Sequence, residues 1–202
     1  MSDVTRRAFI SSSAAFQLIR PDVAQGQQAG AAKLRAGLIG VGGRGRQAVN
    51  DLLTGAENVE VVAMADIFED QLEKNLKWLK EDKRNEQIAS RVNVSPQHRF
   101  VGFEAYKKLL ASDIDIVMLA TPPGYRPMHF EAAVDAKKHI FCEKPFGTDP
   151  VGVRRFMAAA KRSEELKLTV GKSKRRYECY NSKYYLLTHN LIFYNTRKLH
   201  LW

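Results

Sequence analysis

The chain has 202 residues, of which 45% are hydrophobic and 27% charged, enough apolar material for one substantial core, so it is not a disordered tail. No run approaches the roughly 18 apolar residues that span a bilayer, and two distant cysteines, Cys142 and Cys179, exclude a disulfide scaffold and a zinc module. The net charge of +10 by itself indicates an anionic partner. It divides as +3 over residues 1–35, +1 over 36–171 and +6 over 172–202, so the excess positive charge lies at the two ends of the chain and not in its middle.

The N-terminal segment has the pattern of an export signal. Arg6 and Arg7 directly precede residues 8–19, which carry no charge and are rich in serine and alanine. Ala29 and Ala31 then flank Gly30 as a small-x-small cleavage site. We therefore predict a twin-arginine signal over residues 1–31 and a periplasmic or otherwise exported protein. The alternative is an ordinary, weakly basic N-terminus on a cytoplasmic protein.

A glycine-rich turn follows the first predicted strand. Residues 34–41 are mostly apolar, as in a strand buried in a parallel sheet, and GVGGRG at 40–45 fits the pattern G-x-G-x-x-G. In that pattern the first glycine permits a tight turn, the second lets a pyrophosphate approach the backbone, and the third lets the helix pack on the strand. The alternative is a turn without a ligand. The cofactor-binding residues predicted here are Gly40, Gly42, Gly43, Arg44 and Gly45.

A helix and a second strand complete the first βαβ unit. Apolar residues recur at helical spacing from Arg46, and Gly55 can end that helix. Residues 60–66 predict a second buried strand that ends in Asp66. An aspartate there binds the hydroxyls of an adenosine ribose and repels a 2′-phosphate, and Ile67 offers no cation in compensation. The pattern favours NAD over NADP as the cofactor.

The rest of the chain to residue 171 continues the alternation of strands and helices. It predicts a charged helix over 68–83, no regular element over 84–95, a strand over 98–103 and a helix over 104–110. A strand over 113–121, a helix around 130–134, and strands over 139–142 and 167–171 follow. This alternation predicts an α/β fold with a doubly wound parallel sheet, the Rossmann fold. Thr121 and Pro122 end one strand, and we place them beside the nicotinamide.

The strand over 139–142 brings Glu143, Lys144 and Pro145 to the same sheet edge. A lysine there can hydrogen-bond the nicotinamide ribose and the substrate oxygen whose charge changes during hydride transfer. The alternative is a surface lysine before a proline-fixed turn. We predict Lys144 as the catalytic residue, and all three residues as cofactor contacts. No metal ligands are predicted.

Four segments together resemble the nucleotide-binding half of the Gfo/Idh/MocA oxidoreductases: GVGGRG at 40–45, Asp66, DIDIVMLATPP at 113–123 and KHIFCEKP at 138–145. The resemblance runs from about residue 34 to 171. It implies a Rossmann domain followed by a second α/β domain, NAD(P)-dependent oxidation or reduction of sugars or polyols, and frequent oligomers. Lys144 corresponds to the lysine of the family's EKP motif. Some members are exported by the twin-arginine route.

Two positions depart from the family pattern. Arg126 stands where many members have a histidine, and His129 lies one helical turn further on. His129 is either a replacement for that histidine or an unremarkable residue on a helix surface. The frequent glycine before KH is Lys137 here, which affects how the preceding helix ends.

The third departure is the C-terminal segment. The family's second domain supplies the substrate pocket and further catalytic residues, whereas residues 172–202 are basic and rich in tyrosine and asparagine. We expect this domain to be missing because the gene is truncated or read out of frame near 172–178, so that the chain (a signal, a Rossmann domain over 32–171 and a tail) is not catalytic alone. Two alternatives stay open: a fragment of an NAD-dependent glycosidase, and a non-catalytic protein that binds nucleotides or, through its basic tail, single-stranded nucleic acid.

Overall fold

The computed structural model describes residues 33–172 and 192–194, and its centre is a single sheet with helices on both faces. The strands are β1 (Leu34–Ile39), β2 (Val59–Asp66), β3 (Arg99–Val101), β4 (Ile116–Leu119), β5 (His139–Cys142), β6 (Val170–Lys172) and β7 (Ile192–Tyr194). The sheet order is β3-β2-β1-β4-β5-β6-β7. The strands from β1 to β6 pair in parallel, and β7 pairs antiparallel with β6.

This strand order confirms the predicted doubly wound parallel sheet. The chain moves outward from β1 to β3 and then returns to the other side of β1 with β4, so the winding reverses between β1 and β4. In an open parallel sheet, a cleft lies outside the carboxyl ends of the strands at such a reversal. The loops that follow β1 and β4 are therefore the first place to look for a ligand.

Helices cover both faces of the sheet and enclose one apolar core on each side. They are α1 (Gly43–Gly55), α2 (Glu69–Glu81), α3 (Glu86–Ala89), α4 (Ala105–Leu110), α5 (Arg126–Asp135) and α6 (Pro150–Glu165). Buried residues of α1, α2 and α3 belong to one core, and those of α4, α5 and α6 to the other. Strand β4 shows why both cores form: Ile116 and Met118 face the first, whereas Val117 and Leu119 face the second.

The segment after α2 differs from its prediction. Where we expected no regular element over 84–95, the structure has a 3₁₀ turn (Lys83–Asn85), α3, and a bridge between Val92 and Val61 of β2. Ile88 and Val92 are fully buried. Because the apolar residues of this segment are irregularly spaced, hydrophobic periodicity does not predict how they pack. Helix α6 also lies in a segment, 146–166, to which the sequence pattern assigns no element.

The predictions for the two ends of the chain concern residues that lie mostly outside the part that the structure describes. The predicted export signal over 1–31 lies outside them. Of the predicted tail over 172–202, the structure describes only the last residue of β6 and the backbone of β7, a strand that we do not predict. Among the described residues, no helix has the length and apolar character needed to cross a membrane.

Candidate functional site

The turn after β1 needs glycine at two positions for steric reasons. Gly40 has a positive φ of 89°, and a Cβ placed on it would lie 2.7 Å from the backbone nitrogen of Thr121. A Cβ on Gly45 would lie only 2.0 Å from the carbonyl oxygen of Gly40, because α1 packs directly on the turn. These two glycines therefore serve the fold of the loop, in the roles that the G-x-G-x-x-G spacing predicts.

The middle glycines leave the start of α1 open. A Cβ on Gly42, which caps the helix, or on Gly43, its first residue, would meet no atom within 4 Å. The first turn of α1 contains no acidic side chain. Free amide groups and the positive end of the helix dipole together form an anion-binding position, and small glycines let an anion approach them closely. The residues present therefore fit a pyrophosphate.

Asp66 is held beside this turn at the end of β2. Its Oδ2 accepts a hydrogen bond of 2.6 Å from the backbone amide of Val41, and its Oδ1 accepts one of 3.1 Å from that of Phe68. These bonds fix the orientation of a carboxylate that remains partly exposed. A fixed carboxylate at this place can accept further hydrogen bonds from ribose hydroxyls.

A cavity of about 160 Å³ lies next to Asp66, at the carboxyl ends of β1, β2 and β4. Its lining is mostly apolar and aromatic, and includes Gly40, Asp66, Ile67, Phe103, Tyr106, Thr121, Pro122, Tyr125 and His129. Phe103 and Tyr125 are 72% and 46% exposed. The lining also includes Glu104, and apolar and aromatic walls beside the Asp66 carboxylate match a flat aromatic base attached to a ribose. Thr121 and Pro122, which we predict beside the nicotinamide, line the same cavity as Asp66.

His129 belongs to the wall of this cavity and not to a helix surface, which removes the unremarkable surface histidine from the two alternatives. It is 7% exposed, its Nδ1 lies 3.1 Å from Oγ1 of Thr121, and its ring centre lies 4.5 Å from that of Tyr106. Tyr125 stacks on it at 6.3 Å. Burial lowers the pKa of His129 from 6.5 to about 4, so the ring is neutral at neutral pH.

An ion pair connects the glycine turn to the end of β5. Arg44 Nε and Nη2 lie 2.7 and 2.5 Å from Oε1 of Glu143, and Arg44 Nη1 lies 3.6 Å from Oδ2 of Asp51. Glu143 is 2% exposed, whereas the Arg44 side chain is 44% exposed. Arg44 and Glu143, which we predict separately as cofactor contacts, therefore form an ion pair.

Lys144 and Pro145 follow Glu143 on the surface. Lys144 is exposed, and a cis peptide bond joins it to Pro145. Beneath them lies Arg126, which is 5% exposed and whose Nη1 donates to the carbonyl oxygen of Pro145. Burial lowers the pKa of the Arg126 guanidinium, whereas Cys142 and Glu143 act in the opposite direction. Lys144 is thus presented to solvent by a turn that a buried arginine supports.

Sequence reasoning missed part of this site. It noticed Arg126 only as a departure from a family pattern and gave no role to Phe103, Tyr106 or Tyr125. The position of two of them in the sequence could have indicated the site. Phe103 closely follows the third strand and Tyr125 the fourth, and side chains at the strand ends of a parallel sheet converge. Among the described residues, no three His, Cys, Asp or Glu side chains are grouped closely enough to hold a metal ion.

The sheet order, the glycine turn against the start of α1 and the carboxylate at the end of β2 define a Rossmann-type dinucleotide-binding domain. A family model described as an oxidoreductase family with an NAD-binding Rossmann fold matches residues 34–172. The chain belongs to this family, Gfo/Idh/MocA, and the matched part is its NAD-binding domain. The resemblance stated from the sequence motifs is confirmed.

Similar curated proteins have two kinds of names. An inositol 2-dehydrogenase from Mycolicibacterium smegmatis is 31% identical over 116 residues, which are 57% of this chain and 29% of that protein. A glycosyl hydrolase family 109 protein from Solibacter usitatus is 30% identical over 113 residues, or 55% of this chain and 24% of that protein. This chain therefore matches about a quarter of the length of these relatives.

Solved structures show the same fold. The myo-inositol 2-dehydrogenase from Lactobacillus plantarum superposes with a TM-score of 0.53 at 23% identity, over 69% of this chain and 36% of the other. The WlbA dehydrogenase from Bordetella pertussis, in complex with NADH and UDP-GlcNAcA, gives a TM-score of 0.55 at 20% identity, over 75% of this chain and 39% of the other.

Proposed function

We propose that this domain binds NAD as part of an oxidoreductase that acts on sugars or polyols. The observation that carries the proposal is the open start of α1, where Gly42 and Gly43 leave room for a pyrophosphate directly beside the cavity and Asp66. The adenine would occupy the cavity, with its ribose hydroxyls on Asp66. The other end of the dinucleotide would then extend past Arg44 and Glu143 toward Lys144.

The chemistry supplied by the bound nicotinamide is the transfer of a hydride to or from a carbon of the substrate. Lys144 is exposed at the end of β5, where its ammonium group can donate a hydrogen bond to the substrate oxygen. It would stabilise the charge that develops on that oxygen as a carbinol gives its hydride to the cofactor and its hydroxyl proton to water and becomes a carbonyl. Arg126, through its bond to the carbonyl oxygen of Pro145, would keep the lysine-bearing turn in place.

The proposal is tested by titrating the full chain with NAD and with NADP, following binding by calorimetry. We expect saturable NAD binding that is at least ~10-fold tighter than NADP binding, because Asp66 would repel a 2′-phosphate. Equal affinity for both would remove the proposed role of Asp66, and no binding of either would refute the function.

Two matched variants test where the pyrophosphate lies. Gly42 and Gly55 stand at opposite ends of α1, and a Cβ on either meets no atom within 4 Å. Gly42→Val should leave the melting temperature nearly unchanged but weaken NAD binding by roughly 100-fold or more, because the isopropyl group occupies the approach to the helix amides. Gly55→Val should not affect binding. Similar affinities in the two variants would contradict the proposed position.

A second candidate function is that of an NAD-dependent glycosidase. Its support is that the glycosyl hydrolase family 109 protein from Solibacter usitatus is about as similar to this chain as the inositol dehydrogenase. The two activities differ in net chemistry, since a dehydrogenase accumulates NADH from a polyol and NAD. A glycosidase that oxidises its sugar transiently releases a sugar without net NADH. Assaying inositols and an aryl glycoside in parallel separates them.

A further inference from the structure

Helix α6 has exposed apolar side chains on one of its flanks. Val153 and Met157 are 40% and 46% exposed, and at positions i and i+4 they form one line along the helix, which we call the α6 stripe. Phe156 points into the core, and Arg155 pairs with Glu131 of α5. Given these two directions, the α6 stripe lies on the flank that faces away from α5. Because α5 follows β4 and α6 follows β5, this flank faces the β6–β7 side of the sheet.

Acidic residues lie at the C-terminal end of the same flank. Glu164 is on the same face as Met157, two turns further on, and Glu165 follows it; both are exposed. Carboxylates in the last turn of a helix oppose its dipole, so they are unfavourable there unless a cation compensates. In the described part of the chain, the ion pairs of α6 are made by two arginines and involve neither glutamate. Although Lys161 lies between Met157 and Glu164, this end of the flank is net negative.

The chain after β7 begins near this acidic end. Strand β7 runs antiparallel to β6, and its last residue, Tyr194, pairs with Val170, which follows the last residue of α6 after a short turn. Residues 195–202 therefore start at the C-terminal end of α6. In extended conformation these residues reach about 26 Å, whereas α6 rises about 18 Å between Val153 and Glu165. The segment is long enough to run along the whole α6 stripe.

The composition of this segment matches the flank of α6 in the same order. It has no acidic residue, its two basic residues come first, and its large apolar residues follow them: Arg197 and Lys198, then Leu199, Leu201 and Trp202. We propose that residues 195–202 dock on the α6 stripe, with the basic pair beside the two glutamates and the apolar side chains on Val153 and Met157. The C-terminal segment is then part of the folded domain. This inference does not depend on whether the domain binds NAD.

The fluorescence of Trp202 measures the docking. The chain has two tryptophans, so Trp78→Phe leaves Trp202 as the only one. Acrylamide should quench the fluorescence of this full-length variant at least ~3-fold less effectively in buffer than in urea, because a docked indole is shielded from the quencher. Equal quenching in both solvents would overturn the proposal. If Trp78→Phe does not fold, the difference between the unmutated chain and Trp202→Phe provides the same signal.

Two matched variants of α6 test where the segment docks. Met157→Lys places a charge in the α6 stripe and should increase the quenching of Trp202 at least ~2-fold, because the apolar contact is lost. Val151 is 67% exposed and belongs to the same helix, but it lies on a different face. Val151→Lys should therefore leave the quenching unchanged. An equal effect of both variants would overturn the proposed position.

A charge exchange tests the basic pair. Glu164→Lys together with Glu165→Lys should increase the quenching of Trp202, although lysines in the last turn favour the helix itself. Adding Arg197→Glu and Lys198→Glu to that chain should restore the protection, and a failure to restore it would contradict the pairing. The protection should also stay constant over a ~50-fold range of protein concentration. Protection that rises with concentration would show that the segment of a second copy docks instead, and would overturn docking within one chain.

Discussion

Replacing Gly45 by alanine tests the close contact on which the glycine turn depends. The added Cβ would lie 2.0 Å from the carbonyl oxygen of Gly40, whereas ordinary contact begins at 3.4 Å. The obstacle is backbone, so α1 or the turn must move by more than an ångström. Overpacking of this kind costs about 3 kcal/mol, and alanine recovers about 1 kcal/mol over glycine within a helix. We expect a net loss of about 2 kcal/mol.

Gly55→Ala is the matched control, since it lies in the same helix with nothing within 4 Å of its Cβ. It should be neutral or more stable by up to ~1 kcal/mol. For a chain of this size each kcal/mol shifts the melting temperature by about 2–4 °C, so the two variants should differ by roughly 4–12 °C in a thermal melt. Equal melting temperatures would show that the turn and α1 are not in contact, and the steric account of Gly45 would be wrong.

Two further predictions concern a buried histidine and a partly buried arginine. His129 has a folded pKa of about 4 against 6.5 in the unfolded chain, so protons bind preferentially to the unfolded state as the pH falls from 6.5 toward 4. Urea unfolding at pH 7.5 and 4.5 should therefore show a loss of up to ~3 kcal/mol that His129→Gln largely removes, and an identical loss in the variant would contradict the burial of the imidazole. Arg91 donates hydrogen bonds to the carbonyl oxygens of Leu53 and Ala56 at the end of α1. Arg91→Ala should cost about 2–3 kcal/mol by urea unfolding, against ~0.5 kcal/mol or less for Arg84→Ala on the surface, and equal effects would argue against these bonds.

Most of the sheet could be predicted because its strands are short apolar runs separated by clear helical patterns. Helix α1 illustrates this, since Ala48, Val49, Leu52 and Leu53 recur at helical spacing and all four are buried. The segment over 84–95 could not be predicted in the same way. Its core residues, such as Ile88 and Val92, follow no period and pack through a 3₁₀ turn and a single bridge to β2.

The candidate site, too, could be predicted from the sequence only in part. The glycine spacing and the acid at the end of β2 indicate a dinucleotide site because those features are local in sequence. Arg44 and Glu143 were both predicted as cofactor contacts, but 99 positions separate them, and no local pattern indicates that they form an ion pair. The catalytic role of Lys144, the export signal, the missing second domain and an oligomeric state stay predictions.

The sequence by itself determined the class of fold, the family and the position of the glycine turn, because these depend on periodicity and on steric demands within a few residues. Only the tertiary structure decided that Thr121 shares a cavity with Asp66 and that His129 is buried and neutral. It also decided that Arg44 compensates the charge of Glu143. The physical reason is that burial and electrostatic pairing depend on distances between strand ends, which are set by the order of strands in the sheet and not by their order in the chain.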